Sequence, residues 1–365
     1  MGQVCWGQVD GEYKSKPVSG TAYFGAKSSW LTFNGPTKVP ANTWVNAIAA
    51  PGTASTVTIQ PTHKITMAYS ATISNLTVSA GGELAYSAGV TLIINSNLII
   101  DGLITIIPGA VLNVSGITTL GRSECLLIQS NSDDYTGSLI TGSFSGTGTI
   151  KVERFMSNSD NWHLYSSPVF QSYHDFILGN PEIPDLFTNP AIDNTYIGVG
   201  MRDYNTFSDS WSSYFNYRTD TPSGNVGNCK GFSIRTYNDA KGTGYIYATG
   251  VPNSSLSIAL NTTGNKWNCI GNPFTSGLSV SSFISTNSSL LDPSFVGTYI
   301  WDSVNSVYIS YNSSSNSNIQ LGQGFFVKTN STGGSISFSS SMQVNETSLP
   351  FKSAEMEWPL IKILI

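Results

Sequence analysis

Three histidines, His63, His163 and His174, are the first residues to weigh for chemistry. His163 has the best company, because Ser166, Ser167 and Asp160 supply a hydroxyl nucleophile and an orienting carboxylate within a few positions. A triad, however, needs convergence in space rather than proximity along one strand. The 22 acidic residues nominate no pair of carboxyl groups facing each other across a cleft, as sugar hydrolysis requires. Asp133 and Asp134 are candidate calcium ligands, but they lack EF-hand spacing and an exposed turn is the plainer account. No phosphate-cradling Gly-rich loop leads into a helix. The cysteines at 5, 125, 229 and 269 are far apart and form no Cys/His cluster, so zinc is not supported. Calcium is the one cofactor with any candidate ligands, and the expectation is a chain that is not an enzyme.

The composition says what must position such residues. Only 11% of residues are charged, against a usual value of about 25%, while Ser, Thr, Asn and Gly are abundant. Aromatic residues make up 12%, apolar area that disordered segments lack. The net charge is −5 and the 17 basic residues are spread singly, which offers no stripe to a phosphate backbone, so no nucleic-acid partner is expected. The longest apolar runs, Val90 to Ile94 and Leu98 to Ile107, are broken by Asn, Asp101 and Gly102, so no transmembrane insertion is expected. Asn-x-Ser/Thr triplets at Asn75, Asn113 and Asn345 follow from the abundance of these residues.

From about Val57 to Ile128 short β-branched runs alternate with Gly, Asn and Pro, and no helical period is present. Ile73-Ser-Asn-Leu-Thr-Val78 followed by Gly81-Gly-Glu-Leu84 recurs as Asn95-Ser-Asn-Leu-Ile-Ile100 followed by Gly102-Leu-Ile104, and more loosely as Gly109-Ala-Val-Leu-Asn-Val114. Leu76 and Leu98 are 22 residues apart, about one coil of a β-solenoid whose rungs bury their apolar faces on one another.

A second repeat begins at Lys151. Trp162-His-Leu-Tyr-Ser-Ser-Pro168 returns as Trp267-Asn-Cys-Ile-Gly-Asn-Pro273, and Phe176-Ile177 matches Phe283-Ile284. Tyr204, Trp211 and Tyr214 match Trp301, Tyr308 and Tyr311 at the same offsets, a spacing that fits a hairpin. Lys230-Gly-Phe-Ser-Ile-Arg-Thr236 aligns with Gln323-Gly-Phe-Phe-Val-Lys-Thr329. The repeated residues read as packing and corner positions, and Gly231 and Gly324 as a bulge or a close backbone approach. Cys269 stands where the first copy has Leu164, which predicts a thiol packed in the core of the second unit. The first copy carries extra residues in Leu178 to Thr195, and unrepeated loops are where recognition tends to reside. Tyr196, Tyr204, Tyr217 and Asp220, in or beside such loops, are therefore the candidate ligand-binding residues.

Gly271-Asn-Pro-Phe274, Tyr299-Ile-Trp-Asp302 and Gly322-Gln-Gly-Phe-Phe-Val327 resemble modules of large secreted proteins of Bacteroidota-type bacteria exported by the type IX secretion system, and Asn75 to Val114 resembles their solenoid-like regions. The usual C-terminal sorting domain of such proteins is absent, and Pro359-Leu-Ile-Lys-Ile-Leu-Ile365 reads like the first strand of a further domain. The resemblance implies a secreted or cell-surface protein with further domains on the same polypeptide. It also implies an adhesive or structural role with a glycan or surface polymer as partner, the alternative being a passive spacer or docking region of a longer secreted polysaccharide-degrading enzyme.

The expected architecture is all-β. It comprises an N-terminal segment (1–54) capping the solenoid, a β-solenoid (55–145), two related β-sandwich units (146–262 and 263–350), and a tail that starts a further domain (351–365). Helix is expected only in short turns near Phe176 and Phe283.

Overall fold

A computed structural model describes residues 9–38, 40–131, 135–156, 161–180, 183, 185–188, 197–212, 224–236, 244–253, 256–303 and 305–345. The chain is almost entirely β, with a solenoid first and further sheets after it. The only α-helices among the described residues are α1, Tyr173–Leu178, and α2, Val280–Asn287, at the two places expected.

The rungs form because alternating side chains of each short strand turn inward. Thr56–Ile59, Asn75–Val78, Glu83–Tyr86, Thr91–Ile94 and Leu103–Ile106 all alternate between half-buried and buried positions. Stacking is parallel and in register, so Ile65, Leu84, Ile104, Leu126 and Ile150 make one buried column. Each such side chain is worth about 1.5–3 kcal/mol when taken out of water. The repeated Asn has a separate job: Asn75 Oδ1 accepts from the Asn97 N–H at 3.2 Å, and Asn97 Oδ1 from the Ile117 N–H at 3.0 Å. This ladder gives exposed corner amides a protein partner in place of water and so links one rung to the next.

The third copy of the rung motif is placed differently from the sequence alignment. Val111–Val114 stacks on Thr91–Ile94, and the strand on Leu98–Ile100 is Thr118–Leu120. The motif is lost there because the inward Leu is replaced by Thr118, which is buried and shares a 2.8 Å hydrogen bond with Thr141. At the N-terminal end, Tyr13–Ser15 stacks parallel on Thr56–Ile59 while Trp30–Asn34 runs antiparallel beside it. Trp30 is fully buried there, donating from Nε1 to the Phe24 carbonyl.

Ile150–Phe155 is the last parallel strand, on Leu126–Ile128, and its other edge pairs antiparallel with Tyr245–Pro252. The sheet continues through Val169–Ser172 to Asn225–Val226, so the first unit grows from the solenoid and shares its core. The second unit has its own core, and Ser257–Ala259 pairs with Ser335–Ser337 within it.

The two units have the same frame. Trp162 lies opposite Arg235, and Trp267 opposite Lys328. Tyr204 pairs with Trp211 and Trp301 with Tyr308, as the spacing predicts. Ser172 and Ser279 cap α1 and α2 through the N–H groups of Asp175 and Ser282. Asn180 donates to the carbonyls of Phe176 and Tyr247, and Asn287 to those of Phe283 and Ser337. The helical phenylalanines meet the Gly-Phe phenylalanines in both units, Phe176 with Phe232 at 6.0 Å and Phe283 with Phe325 at 5.4 Å. Trp162 and Trp267 are half-buried rather than core residues, lying against Arg202 and Tyr299 respectively.

The units face each other across a pseudo-twofold axis. Tyr165 bridges to Gln323, and the matched residues Ile270 and Lys230 bridge in return. The Ser166 N–H donates to the Gly322 carbonyl, and the Gly271 N–H to that of Cys229. This crossing explains the repeated glycines: a Cβ on Gly231 would lie 2.4 Å from the Ile270 oxygen, and one on Gly324 2.9 Å from that of Tyr165. On the axis a residue meets its own counterpart, and a Cβ on Gly271 would lie 2.0 Å from the Ser166 Cβ, so only one of that pair can carry a side chain.

Two outcomes follow. Asn97→Ala removes the acceptor for Ile117 and should cost roughly 0.5–1.5 kcal/mol, read as a lower denaturation midpoint; an unchanged midpoint would remove the ladder from the account. Gly271→Ala should destabilise by roughly 1–3 kcal/mol or more through overpacking, and adding Ser166→Gly should recover most of the loss. Lack of recovery in the double variant would contradict the crossing.

Candidate functional site

A cleft of about 430 Å³ lies where the hairpin of the first unit leans on the second. Its wall is Tyr204, whose ring packs against Phe326 of the second unit at 4.8 Å and Trp211 at 5.4 Å. The Tyr204 hydroxyl donates to Asp209 Oδ1 at 2.6 Å and accepts from Asn265 Nδ2 at 2.8 Å, which ties the hairpin to the loop before Trp267.

Three side chains close on one another at this cleft. Lys230 Nζ lies 2.9 Å from Asp203 Oδ1 and donates to the Tyr173 hydroxyl at 2.8 Å, which in turn donates to Asp203 Oδ1 at 3.3 Å. Tyr173 starts α1 and is buried; Asp203 and Lys230 are partly open to the cleft. Burial pushes the Tyr173 phenol up to about 12, Asp203 adding to the rise and Lys230 opposing it. Burial alone would lower the Lys230 ammonium, but its Tyr173 and Asp203 neighbours outweigh it and raise the pKa. The trio is therefore a neutral phenol between an ammonium and a carboxylate, a set that donates and accepts hydrogen bonds but holds neither a phenolate nor a free amine at neutral pH.

Cys269 lines the same cleft. This corrects the expected core position: Ile270 faces the second core, so its strand neighbour Cys269 faces the other way, toward Lys230 and Asp203. Cys125, Cys229 and Cys269 all carry thiols, and burial raises the pKa of each, Cys229 to about 12. Cys5 lies outside the described residues.

Among the ligand-binding candidates, Tyr204 reaches the cleft, as a wall whose hydroxyl is already engaged. Tyr196, Tyr217 and Asp220 lie outside the described residues, as do the calcium candidates Asp133 and Asp134. No group of His, Cys, Asp or Glu able to hold a metal occurs among the described residues. His163 is buried in the first unit, while Ser166 Oγ donates to the Asn272 carbonyl and Ser167 Oγ to that of Val169. Asp160 is outside the described residues. Ser15 Oγ shares a 2.7 Å hydrogen bond with His63 Nδ1 and accepts from the Gln60 N–H, which fixes it as a link between cap and first rung. No helix among the described residues is long and apolar enough to cross a membrane.

Sequence reasoning missed Tyr173, Asp203 and Lys230. The available signal was the matched positions at which the two copies differ, since Lys230 aligns with Gln323 and Asp203 with Ile300.

The raised thiol and phenol values set the alkaline limit of stability. A group whose folded pKa exceeds its unfolded value contributes its full stabilisation below the unfolded value and loses it as pH rises through the folded one. Cys229, at 9.0 when exposed and about 12 here, and Tyr173, at 10.0 and about 12, put that loss between pH 9 and 12. The denaturation midpoint should fall steadily across this window, and iodoacetamide at pH 8 should leave the buried thiols of Cys125 and Cys229 unmodified until the protein is unfolded. A flat midpoint, or native labelling of Cys229, would contradict their burial.

Residues 37–314 match the family described as a domain of unknown function (DUF8693). No curated protein and no solved structure matches the chain.

Proposed function

The chain belongs to the DUF8693 family, a domain of unknown function, and from that premise we propose that it is a non-catalytic adhesive or structural module of an exported cell-surface protein, holding a glycan or surface polymer. The observation that carries the reading is the seamless joining of a stacked-rung solenoid to the first β unit through one continuous sheet, with the second unit bridged to the first by backbone pairs. Such a sheet suits a protein that transmits load and holds a surface at a distance, because relative movement of the parts would break backbone hydrogen bonds. The cleft between the units agrees with it, since its polar groups are neutral or mutually paired. Low charge with abundant Ser, Thr and Asn, and the resemblance to modules of type IX-exported proteins, support export to the surface.

Retention on a panel of immobilised neutral and acidic polysaccharides tests the reading. At least one polymer should retain the folded chain, and no reducing ends should be released on long incubation. Retention by none would leave the passive spacer as the better account, and release of reducing ends would replace both with an enzyme.

A further inference from the structure

The first unit differs from the second at the three positions that build the polar trio. The shared register makes the comparison residue by residue: Arg202 lies opposite Ser233 as Tyr299 lies opposite Phe326, which matches Asp203 with Ile300. The same frame matches Lys230 with Gln323, and Tyr173 with Val280, because Phe176 corresponds to Phe283. In the second unit Val280 and Ile300 are apolar members of its buried core, and Gln323 closes its own turn by accepting from the Gln320 N–H at 2.9 Å. The frame therefore folds without the trio. Burying part of an ion pair costs desolvation that apolar residues avoid, so the first unit carries a feature its stability does not require.

We propose that Asp203 and Lys230, held in place by Tyr173, form a subsite for an uncharged sugar residue, bound through two adjacent hydroxyls. This rests on the module reading above and names its site. The ammonium has three N–H donors, two of them directed to Asp203 and Tyr173, and the Asp203 bonds all fall on Oδ1. That leaves one ammonium donor and the Oδ2 acceptor with no partner among the described residues, on two side chains whose heads are 2.9 Å apart, a pair that two neighbouring hydroxyls complete, one accepting and one donating. Among the described residues, Asp203 and Lys230 are the only charged ones lining the cleft, and their charges cancel, which disfavours an anionic or a cationic ligand. Asn205, Asn261 and Ser212 add neutral polar groups around the pair, and Tyr204 and Ile258 supply apolar surface for the ring of a sugar.

The test replaces the trio with the residues of the sister unit. The double variant Asp203→Ile with Lys230→Gln, and the triple variant adding Tyr173→Val, are compared with the parent in affinity electrophoresis through gels containing galactomannan, a mixed-linkage glucan, xylan or polygalacturonate, alongside thermal melts. The parent should be retarded by at least one neutral polymer and not by polygalacturonate. The double variant should bind at least about tenfold more weakly, the scale expected for loss of charge-assisted hydrogen bonds, with a melting temperature equal to or above that of the parent. Parent and variants equally retarded by a neutral polymer would overturn the subsite and leave the module reading standing. Retardation by polygalacturonate alone would overturn the neutral-ligand assignment, and no retardation by any polymer would overturn both readings. Should the variants fail to fold, acetylation of Lys230 in the intact protein decides the matter: the retarding neutral polymer should slow modification of Lys230 several-fold relative to exposed lysines, and an unchanged rate would overturn the subsite.

Discussion

Everything after the solenoid depends on one strand, Ile150–Phe155. A stack of rungs ends in an open row of backbone N–H and C=O groups, a surface that would recruit further strands without limit. Here the last rung turns that exposed edge to use. Its inner edge pairs parallel with Leu126–Ile128 and its outer edge antiparallel with Tyr245–Pro252, so termination of the stack and nucleation of the first unit are the same hydrogen bonds. Arg154 on this strand is almost wholly buried and donates to Gln320 of the second unit, where its stem lies beside Gly322. A buried guanidinium is costly unless its partners are held in place. Solenoid, first unit and second unit are thereby locked to one another through six residues.

The second unit is positioned by the same logic of crossing backbones. Where the Trp strand of one unit passes the Gly-Phe strand of the other, backbone comes so close to backbone that neither Gly231 nor Gly324 can carry a side chain. A plain strand glycine would weaken the sheet, and here its absence of a Cβ is what admits the partner unit. The axis has no room for perfect symmetry at its centre: Ser166 keeps a side chain and Gly271 gives it up.

How much of this was legible depended on whether the governing residue types repeat. Rungs were readable through Leu76 and Leu98, because inward aliphatics and a corner Asn recur at one spacing, and unreadable at the next rung, where Thr118 keeps the position but replaces packing with a hydroxyl pair. The paired units were readable because tryptophan, Gly-Phe and the hairpin aromatics sit in a register that the structure reproduces strand by strand. The spacing does not say how deeply the tryptophans sit, since a repeated aromatic looks the same in sequence whether it fills an interior or covers a sheet face, and both are half-buried. The trio was invisible to any local pattern, because Tyr173 and Lys230 lie 57 positions apart and meet Asp203 only through tertiary packing.

An internal duplication nonetheless supplies what a single sequence otherwise lacks, a second solution to the same folding problem. Where both copies keep a residue, as with the asparagines at 180 and 287 that each tie a helix end to a neighbouring strand, packing and backbone satisfaction are sufficient cause. Where one copy substitutes an ion pair and a phenol for Ile, Gln and Val, packing cannot be the cause, since the other copy packs without them. The difference also decides the shape: apolar residues at 280 and 300 join the core of the second unit, whereas Asp203 and Lys230 retain water access and border a cleft. Polarity at these matched positions thus separates the proposed ligand surface of the first unit from the frame that both units share.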